Sequence, residues 1–443
     1  MVYEEILIRQ NRHWREEKFP TGIERDIKAE VVRFLDTKYI LVITGVRRSG
    51  KSYLLYQLMD ALFKKVPSEN VLYVNFDDPV FLGLRTESRS IETLYRDYLK
   101  LKNPKGIKYL LFDEIQNVPN WEKWIKAYYD MEEGIRFIVT GSNATLLSSE
   151  LSTLLTGRNL QFEVFPFNLR EVLKAKGEDI IISPDPAEIY LRNYRIKDTL
   201  RHHLDEVLKW GSFPEVVFLD ESHREVVLKE YYKDILYRDI VPRFEVRHVN
   251  KLEEIAYFVI SNISNAVSYH NIGKLTGTHE NTVREYLTYF EKAYLSFQVA
   301  RFSYSLKDQI KNPKKIYFID TGMRNAVAFR FSQDIGRLCE NLVFIDLLRR
   351  GKKVYYWKGK GEMDFVVMED LRTEQLVQVC WDVRDVKTKE REVEALVEAM
   401  GKLEVEEGIV ITDDYFGEEE RDGKRVRFVP LWCWLVRGNR MET

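Results

Sequence analysis

The stretch ILVITGVRRSGKSYLLYQLMDALF, residues 40–63, decides the fold of the first part of this chain. An apolar run of strand length comes first, a loop bounded by glycines follows, and a segment with helical periodicity completes it. Residues 45–52 fit the pattern G-x-x-x-x-G-K-S, in the strand–loop–helix context that this pattern requires. The stretch therefore predicts a phosphate-binding loop on a parallel α/β sheet.

Each position that defines this loop motif has a chemical reason. Gly45 and Gly50 permit close approach of the backbone, whose N–H groups form an anion nest with the helix N-terminus. Lys51 is expected to reach the β- and γ-phosphates of ATP, and the Ser52 hydroxyl to bind Mg²⁺. The residues expected to contact the nucleotide here are Gly45, Arg47, Arg48, Ser49, Gly50, Lys51, Ser52 and Tyr53.

A second motif, KYLLFDEIQ, follows about sixty residues later and ends an apolar strand in two acids. Asp113 is expected to hold Mg²⁺ through water, and Glu114 to orient or activate the attacking water. The next strand, RFIVTGSN, places Ser142 and Asn143 at its carboxyl end, where such sheets collect ligand-contacting groups. A role in sensing the water or the γ-phosphate is favoured for both, with helix capping as the alternative.

Arg158, in LLTGRNLQFEVFPF, comes just before another strand. An arginine there can act as a finger that stabilises transition-state charge, in cis or from a neighbouring subunit. A structural ion pair explains the residue nearly as well.

Bulk properties restrict the remaining possibilities. A chain of 443 residues with 45% hydrophobic content is expected to form several cores, and its net charge of -2 excludes a globally basic polyanion binder. The cysteines lie far apart without metal-ligand spacing. The N-terminus lacks an apolar signal region, and no apolar run is long enough to span a membrane. We expect a cytoplasmic protein.

Residues 250–320 favour a winged helix, with three helical stretches followed by two strand-like pieces. The second helix of SYHNIGKLTGTHENTVREYLTYFEKAYL presents Arg284 among acidic and neutral residues, which weakens groove insertion. The next piece, RFSYSLKDQIKNPKKIYF, is basic, and a wing of this kind can follow a phosphate backbone. A lid or protein-contact role is the alternative. The residues expected to bind DNA are Arg284, Lys307, Lys311, Lys314 and Lys315.

The C-terminal hairpin GEMDFVVMEDLRTEQLVQVCWDV, residues 361–383, follows the element order of restriction-endonuclease-like folds. Such sites use acids to hold Mg²⁺ and a lysine to position water. Glu340 and Asp364 supply acids, but Gln378 and Cys380 stand where a second-strand acid and lysine are needed. Substitution by Lys358 or Lys360 is an open alternative. We favour an inactive nuclease-like domain with a buried Cys380.

The motifs TGVRRSGKSYLL, YVNFDDP, LLFDEIQN, TGSN and LTGRNLQFEVFPFNLREVL together resemble the AAA-type ATPases found mainly in archaea and bacteria. That family joins an ATPase module to a winged helix and a C-terminal domain of unknown function. The resemblance implies that Arg25 borders the adenine and that Pro214 touches the base. It also implies that the Arg238-Asp239 pair senses nucleotide state, with a surface salt bridge as the alternative.

The predicted organisation is a P-loop AAA-type core over residues 1–167, a helical lid over 168–247, a winged helix over 248–330 and a nuclease-like α/β domain over 331–443. The function that follows is an ATPase that binds and hydrolyses Mg-ATP as a switch acting on a nucleic acid or a protein. The alternatives are an ATP-dependent nuclease and a slow-hydrolysing, ATP-gated DNA-binding regulator. Protein contacts through the C-terminal domain and oligomerisation both fit this scheme.

Overall fold

The structure is a computed structural model that describes residues 3–84, 90–131, 134–142, 155–329, 335–370 and 372–438. The chain divides into two compact units, Met1–Phe165 and Pro166–Thr443. The first boundary falls close to the end predicted for the ATPase core. The finer division of residues 168–443 into lid, winged helix and nuclease-like domain stays a prediction.

The first unit alternates strands and helices. Its strands are β1 (Ile40–Thr44), β2 (Val71–Asn75), β3 (Lys108–Asp113), β4 (Ile135–Gly141) and β5 (Asn159–Glu163). Its α-helices among the described residues are α1 (Glu4–Gln10), α2 (Lys28–Val32), α3 (Lys51–Leu62), α4 (Ser90–Lys102) and α5 (Trp121–Met131).

These strands form one parallel sheet with the order β2-β3-β4-β1-β5. Alternate side chains of a strand point to opposite faces. Accordingly, Val42 and Phe112 join the core cluster that includes residues of α1, α4 and α5, whereas Leu41 and Leu111 join the cluster formed with α2 and α3. Strands β1–β4 are buried along most of their length, which fits their apolar sequences, whereas β5 (NLQFE) at the side of the sheet is mostly partly exposed. The predicted α/β architecture of the core is confirmed.

The second unit contains helices along its whole length. They are α6 (Leu169–Lys176), α7 (Pro186–Asn193), α8 (Lys197–Trp210), α9 (Pro214–Phe218), α10 (Glu221–Asp234), a π-helix (Ile235–Ile240), α11 (Val249–Ser261), α12 (Tyr269–Thr276), α13 (Glu280–Lys292), α14 (Leu306–Lys311), α15 (Thr321–Val327), α16 (Ile335–Arg349), α17 (Val386–Lys402) and α18 (Leu431–Val436).

Two sheets accompany these helices. The smaller has the order β6-β8-β7, with β6 (Ala266–Val267), β7 (Ser296–Val299) and β8 (Lys314–Phe318), all antiparallel. The larger has the order β13-β14-β12-β11-β10-β9. Its strands are β9 (Lys353–Lys358), β10 (Glu362–Glu369), β11 (Arg372–Val379), β12 (Glu407–Thr412), β13 (Gly417–Arg421) and β14 (Lys424–Pro430). The predicted hairpin is β10–β11.

Helix α15 interlocks with the end of α8. Gly211, at φ 72°, has no room for a side chain, since a Cβ there would lie 1.9 Å from the Asp320 carboxylate. Reciprocally, a Cβ on Gly322 would lie 1.9 Å from the Trp210 carbonyl carbon. The Asp320 carboxylate accepts hydrogen bonds from the Ser212 N–H at 2.7 Å and the Met323 N–H at 2.8 Å. The motifs WGSFPEVV and FIDTGMRN therefore form one packed joint.

In the described part of the chain, no helix combines the length and apolar character needed to cross a membrane.

Candidate nucleotide site

The loop between β1 and α3 adopts a backbone that its glycines make accessible. Gly45 has φ 144°, and a Cβ there would lie 2.1 Å from the Val164 carbonyl oxygen. Gly50 has φ 96° and forms the N-cap of α3. Arg48 also has positive φ, at 69°. The loop is therefore turned tightly against the end of β5, which leaves space at Gly45 for hydrogen alone.

Lys51 begins α3 and lies inside the loop. Its ammonium donates hydrogen bonds to the carbonyl oxygens of Gly45 at 3.1 Å and Val46 at 3.2 Å. It also lies 3.7 Å from the Glu114 carboxylate, and the Lys51 side chain is only 4% exposed. The lysine of the loop and the acid that follows β3 thus lie close together, and their roles toward ATP stay predictions.

Asp113, at the carboxyl end of β3, accepts hydrogen bonds from several hydroxyls. Tyr73 donates at 3.0 Å, Thr140 donates to the other carboxylate oxygen, and Ser52 makes a further side-chain hydrogen bond. Burial, and secondarily the charge of Glu114, raises the pKa of Asp113. A bound cation would relieve both effects, which fits the metal role predicted for Asp113 and Ser52.

Glu114 occupies a left-handed backbone conformation, with φ 52° and ψ 47°. Its backbone N–H donates to the Thr140 hydroxyl at 3.0 Å, and its carboxylate accepts from the Gln116 amide at 2.5 Å. The two neighbouring acids thus have different partners, with Glu114 near Lys51 and Gln116 and Asp113 held by hydroxyls. Non-glycine residues at positive φ are uncommon and concentrate at functional sites.

The segment before α2 is tied to the loop by a buried arginine. The Arg25 guanidinium donates to the carbonyl oxygens of Ser49 at 2.6 Å and Phe165 at 2.7 Å. The Gln57 amide of α3 holds the same segment through the Thr21 and Ile23 carbonyls, each at 2.7 Å. Arg25 thus braces the phosphate loop, and its predicted contact with adenine stays a prediction.

Arg158 lies at the end of the sheet opposite the phosphate loop, which is the wrong end for an arginine finger that acts in cis. It precedes β5, whose first residue, Asn159, pairs with Ile40 at the start of β1. The phosphate loop follows the other end of β1, about 13 Å away at roughly 3.3 Å per residue. The Arg158 guanidinium pairs with Asp130 at 3.3 Å and lies over the Tyr129 ring. The cis alternative is therefore wrong, and action in trans stays a prediction.

The other expected contacts fall in varied surroundings. Ser142 is buried and directly follows β4, at the same edge as the loop, while Asn143 lies outside the described residues. Tyr53 is 46% exposed, Arg48 is exposed, and Arg47 is partly buried. Pro214 is the first residue of α9. The nucleotide contacts of these residues stay predictions.

The Arg238-Asp239 pair separates within the π-helix. Arg238 pairs with Asp234 at 3.0 Å and is largely exposed, whereas Asp239 is buried. Arg238 thus takes part in a surface salt bridge, the alternative to a sensing role.

Two residues of the site escaped the sequence reading, Tyr73 and Thr140. Both lie in strands that flank or neighbour β3, and both donate to Asp113. Their position in the sequence could have identified them, because polar residues near the carboxyl ends of buried parallel strands lie together at one end of the sheet. A tyrosine and a threonine inside apolar runs are read more readily as core residues.

The predicted DNA-binding residues do not form one surface. Arg284, Lys307 and Lys311 are exposed, whereas Lys314 is partly buried and donates to the Gln309 carbonyl. Burial, and then the charge of Arg284, lowers the pKa of Lys314. Lys315 is buried at 1% exposure and pairs with acids of the C-terminal region. Its assignment as an outward wing residue is wrong, because Lys315 and the rest of β8 after Lys314 are buried, and the Lys315 ammonium contacts carboxylates.

The C-terminal acids are also buried. Asp364 accepts from the Val379 N–H at 3.0 Å, and the Asp364 N–H donates to the Gln378 amide oxygen at 2.9 Å. Cys380 is 2% exposed, and burial raises the pKa of its thiol to about 12. The expectation of a buried Cys380 beside a hydrogen-bonding Gln378 is confirmed. Lys358 pairs with Glu362 at 3.8 Å and does not supply the missing lysine among the described contacts.

A phosphate loop after β1, an Asp-Glu pair at the end of β3 and a five-stranded parallel sheet in which β4 separates these two strands define a P-loop protein of the AAA type. Residues 37–173 match the AAA domain family, and residues 201–334 match a domain of unknown function, DUF8612.

The chain is 34% identical to "Uncharacterized protein MJ1544" of Methanocaldococcus jannaschii, over 94% of this chain and 91% of that protein. It is 31% identical to an "Uncharacterized protein" of Haemophilus influenzae, over 91% of this chain and 96% of that protein. It belongs to the AAA-type ATPase family that these relatives represent. A solved structure of the Aeropyrum pernix Orc1 protein in complex with DNA aligns with 69% of this chain and 92% of its own, at 12% identity and a TM-score of 0.32, which is too low to compare functions.

Proposed function

We propose that the protein hydrolyses Mg-ATP and uses the nucleotide cycle as a switch. The observation that carries the proposal is the convergence of Lys51, Asp113 and Glu114 at one buried edge of the sheet, with Lys51 and Glu114 only 3.7 Å apart. Phosphoryl transfer needs positioned positive charge, a metal-holding acid and a group that orients water. All of these are supplied by α3 and β3.

The residues divide the work. The loop N–H groups and Lys51 hold the phosphates and offset the negative charge that develops on the γ-phosphoryl oxygens. Glu114 accepts a proton from, or orients, the attacking water. Thr140 couples the two acids, because its hydroxyl donates to Asp113 and accepts from the Glu114 N–H. A shift of β4 would therefore be felt at both acids.

The donor set fits magnesium. Mg²⁺ favours oxygen ligands, and the Ser52 hydroxyl and the Asp113 carboxylate are such ligands, already joined by a hydrogen bond. Among the residues that the structure describes, the buried Ser49 hydroxyl in the loop has no hydrogen-bond partner, which is consistent with a loop shaped for a polar ligand. When bound, Mg²⁺ would neutralise charge on the β- and γ-phosphates.

The direct test is ATP turnover. Lys51→Ala is expected to lower turnover by about 100-fold or more, since it removes a charge that acts on the transition state. Glu114→Gln is expected to keep ATP binding and lose turnover. Exposed Lys274→Ala is the matched control and should behave as wild type. Turnover in wild type that equals turnover in Lys51→Ala would contradict the proposal.

For the partner, we propose DNA bound through α14 and its flanks. This segment exposes Tyr304 (87%), Leu306 (69%) and Ile310 (56%), together with Lys307 and Lys311. Aromatic and aliphatic groups interleaved with lysines suit a sugar–phosphate backbone and its base edges. The order of α11–α13 and the β6-β8-β7 sheet supports the predicted winged helix, in which α14, between β7 and β8, would take the position of a wing.

The partner test is binding to duplex DNA across a salt series, measured by fluorescence anisotropy. Neutralising Lys307 and Lys311 together should reduce the slope of log affinity against log salt by up to about 2, at about 0.9 for each phosphate contact. Lys402→Ala, which removes an exposed lysine outside the proposed winged helix, serves as the control. Unchanged affinity and slope would remove α14 as the contact. ATP turnover with and without DNA then separates a DNA-linked switch from one that acts on a protein.

Nuclease activity receives less support. Asp364 is 6% exposed and Glu340 is 9% exposed, so a phosphodiester has little access to them. We expect no Mg²⁺- or Mn²⁺-dependent nicking of DNA. Cleavage that disappears in Asp364→Ala would overturn this view.

A further inference from the structure

The buried acids of the C-terminal region surround the ammonium of one lysine from another part of the chain. Lys315, on β8, lies 2.9 Å from Asp364 Oδ1, 3.0 Å from Glu340 Oε1 and 3.0 Å from Glu362 Oε1. Its side chain is 1% exposed. The ammonium donates hydrogen bonds to Asp364 and Glu340 and forms an ion pair with Glu362, so three carboxylates surround it.

The acids come from the elements that hold a metal in nuclease-like folds. Glu340 lies on α16, and Asp364 and Glu362 lie on β10. Three carboxylates that converge on one point are a ligand set typical of a hard divalent cation. In this chain that point is taken by the Lys315 nitrogen. We propose that Lys315 is a tethered cation that replaces a divalent metal and keeps this acidic cluster closed to metal ions.

The charges support a closed site. Burial opposes protonation of Lys315, but the carboxylates of Asp364 and Glu340 outweigh it and hold the pKa of Lys315 well above its ordinary value. Burial, and secondarily Asp364, raises the pKa of Glu340 to about 8. The ammonium therefore lies among acids whose charge stabilises its own. A divalent ion would have to displace a buried charge that is already neutralised.

The remaining hydrogen bonds fix the acids around the nitrogen. The Tyr317 hydroxyl, two residues along β8, donates to Glu340 Oε1 at 2.7 Å. The second oxygen of Asp364 accepts from the Val379 N–H at 3.0 Å. Asp364 thus has both oxygens engaged.

An alternative role for Lys315 is the catalytic lysine that β11 lacks. A catalytic lysine must meet water and a phosphodiester, and a nitrogen enclosed by three carboxylates at 1% exposure meets neither. Lys315 fits a structural cation better. This inference is independent of ATP hydrolysis, since its residues share none with the nucleotide site.

The experiment is Mn²⁺ binding to the full chain without nucleotide, followed by electron paramagnetic resonance of the free ion. Lys315→Ala is expected to bind one more Mn²⁺ per chain than wild type, and Lys315→Ala with Asp364→Asn is expected to lose that ion. Lys274→Ala, which removes an exposed lysine, should match wild type. A folded Lys315→Ala variant with no additional ion would overturn the proposal. So would a wild-type Mn²⁺ site that Asp364→Asn abolishes.

Removal of a buried cation can prevent folding, because it leaves the carboxylates uncompensated. If Lys315→Ala is unfolded in metal-free buffer, its refolding with and without Mn²⁺ provides the same test. Recovery of native circular dichroism with Mn²⁺ supports the proposal, because the metal then takes the place of the ammonium. A variant that stays unfolded at every Mn²⁺ concentration contradicts it.

Discussion

Tyr73, on β2, donates a 3.0 Å hydrogen bond to Asp113, at the end of neighbouring β3. The Tyr73 hydroxyl is itself buried and lies 3.3 Å from the Tyr56 hydroxyl of α3. A chain of hydroxyls thus connects the helix after the phosphate loop to the acid expected to hold magnesium. The orientation of Asp113 depends on residues that have no direct role in the chemistry.

Loss of the Tyr73 hydroxyl should weaken metal use without abolishing turnover. In Tyr73→Phe the ring stays packed, but Asp113 loses a donor that contributes about 0.5–1.5 kcal/mol. We expect the Mg²⁺ concentration for half-maximal ATP turnover to rise by about 2- to 10-fold, with little change at saturating Mg²⁺. Tyr56→Phe, which leaves the donor to Asp113 in place, is the matched control. Equal shifts in both variants would show that packing is responsible.

Thr140 is expected to matter more than Tyr73, because it serves both acids. Thr140→Val keeps the shape and removes the hydroxyl that donates to Asp113 and accepts from the Glu114 N–H. Both the Mg²⁺ requirement and the maximal turnover should worsen, the latter by about 10-fold or more. Thr140→Ser should restore most of the activity. A serine variant as poor as the valine variant would rule out the hydroxyl as the cause.

The tight loop makes a prediction about stability. In Gly45→Ala the new methyl group would meet the Val164 carbonyl oxygen at 2.1 Å, in a left-handed conformation with φ 144°. We expect the first unit to lose about 2 kcal/mol or more of unfolding free energy, together with nucleotide binding. Gly134→Ala, where the nearest atoms lie 3.8 Å away, should stay within about 0.5 kcal/mol. Urea unfolding of both variants provides the comparison.

Arg158 gives a test of action in trans. Since it lies at the opposite edge of its own sheet, a catalytic role requires a second chain. Lys51→Ala and Arg158→Ala should then each be inactive alone, and a mixture should recover part of the turnover, because Lys51→Ala chains supply the arginine. Recovery should grow with protein concentration. Full activity of Arg158→Ala alone would assign the residue to its ion pair with Asp130.

Asp320 predicts a pH dependence in the second unit. Burial raises the pKa of Asp320 to about 6, against an unfolded value of 3.8. Between these values the folded chain binds a proton that the unfolded chain has released, so this group's contribution to stability falls as pH rises. Relative to Asp320→Asn, wild type should gain about 2 kcal/mol of unfolding free energy from pH 7 to pH 4.5. Urea unfolding followed by tryptophan fluorescence measures the difference, and a constant difference would contradict the shift.

The nucleotide site was largely predictable because its information is local. Gly45 to Ser52 follow one another on a single turn, and Asp113-Glu114 end a single strand. Their convergence requires only that parallel strands share an edge. Arg158 shows the limit of this reasoning. The end of the sheet at which Arg158 lies depends on the direction of β5, and not on how far Arg158 is from the loop in the sequence.

The C-terminal cluster was not predictable in the same way. Lys315 stands next to Lys314 in a segment rich in lysine, and nothing local distinguishes the exposed members from the buried one. Its three acidic partners lie at least 25 residues away in the sequence, at Glu340 and beyond. The hairpin β10–β11 could be predicted from its alternation of apolar residues. The lysine that contacts its acids could not, because that contact depends on the tertiary structure.

The joint between Gly211 and Asp320 has a consequence for the ancestry of the molecule. At Gly211 and at Gly322, the opposite side of the joint occupies the space that a side chain would need. A larger residue at either position would therefore overlap with the other side. A gene fusion or excision near residue 247 would separate two surfaces that fit only each other. The segments on either side of that position are expected to be inherited together, as one evolutionary unit rather than as exchangeable modules.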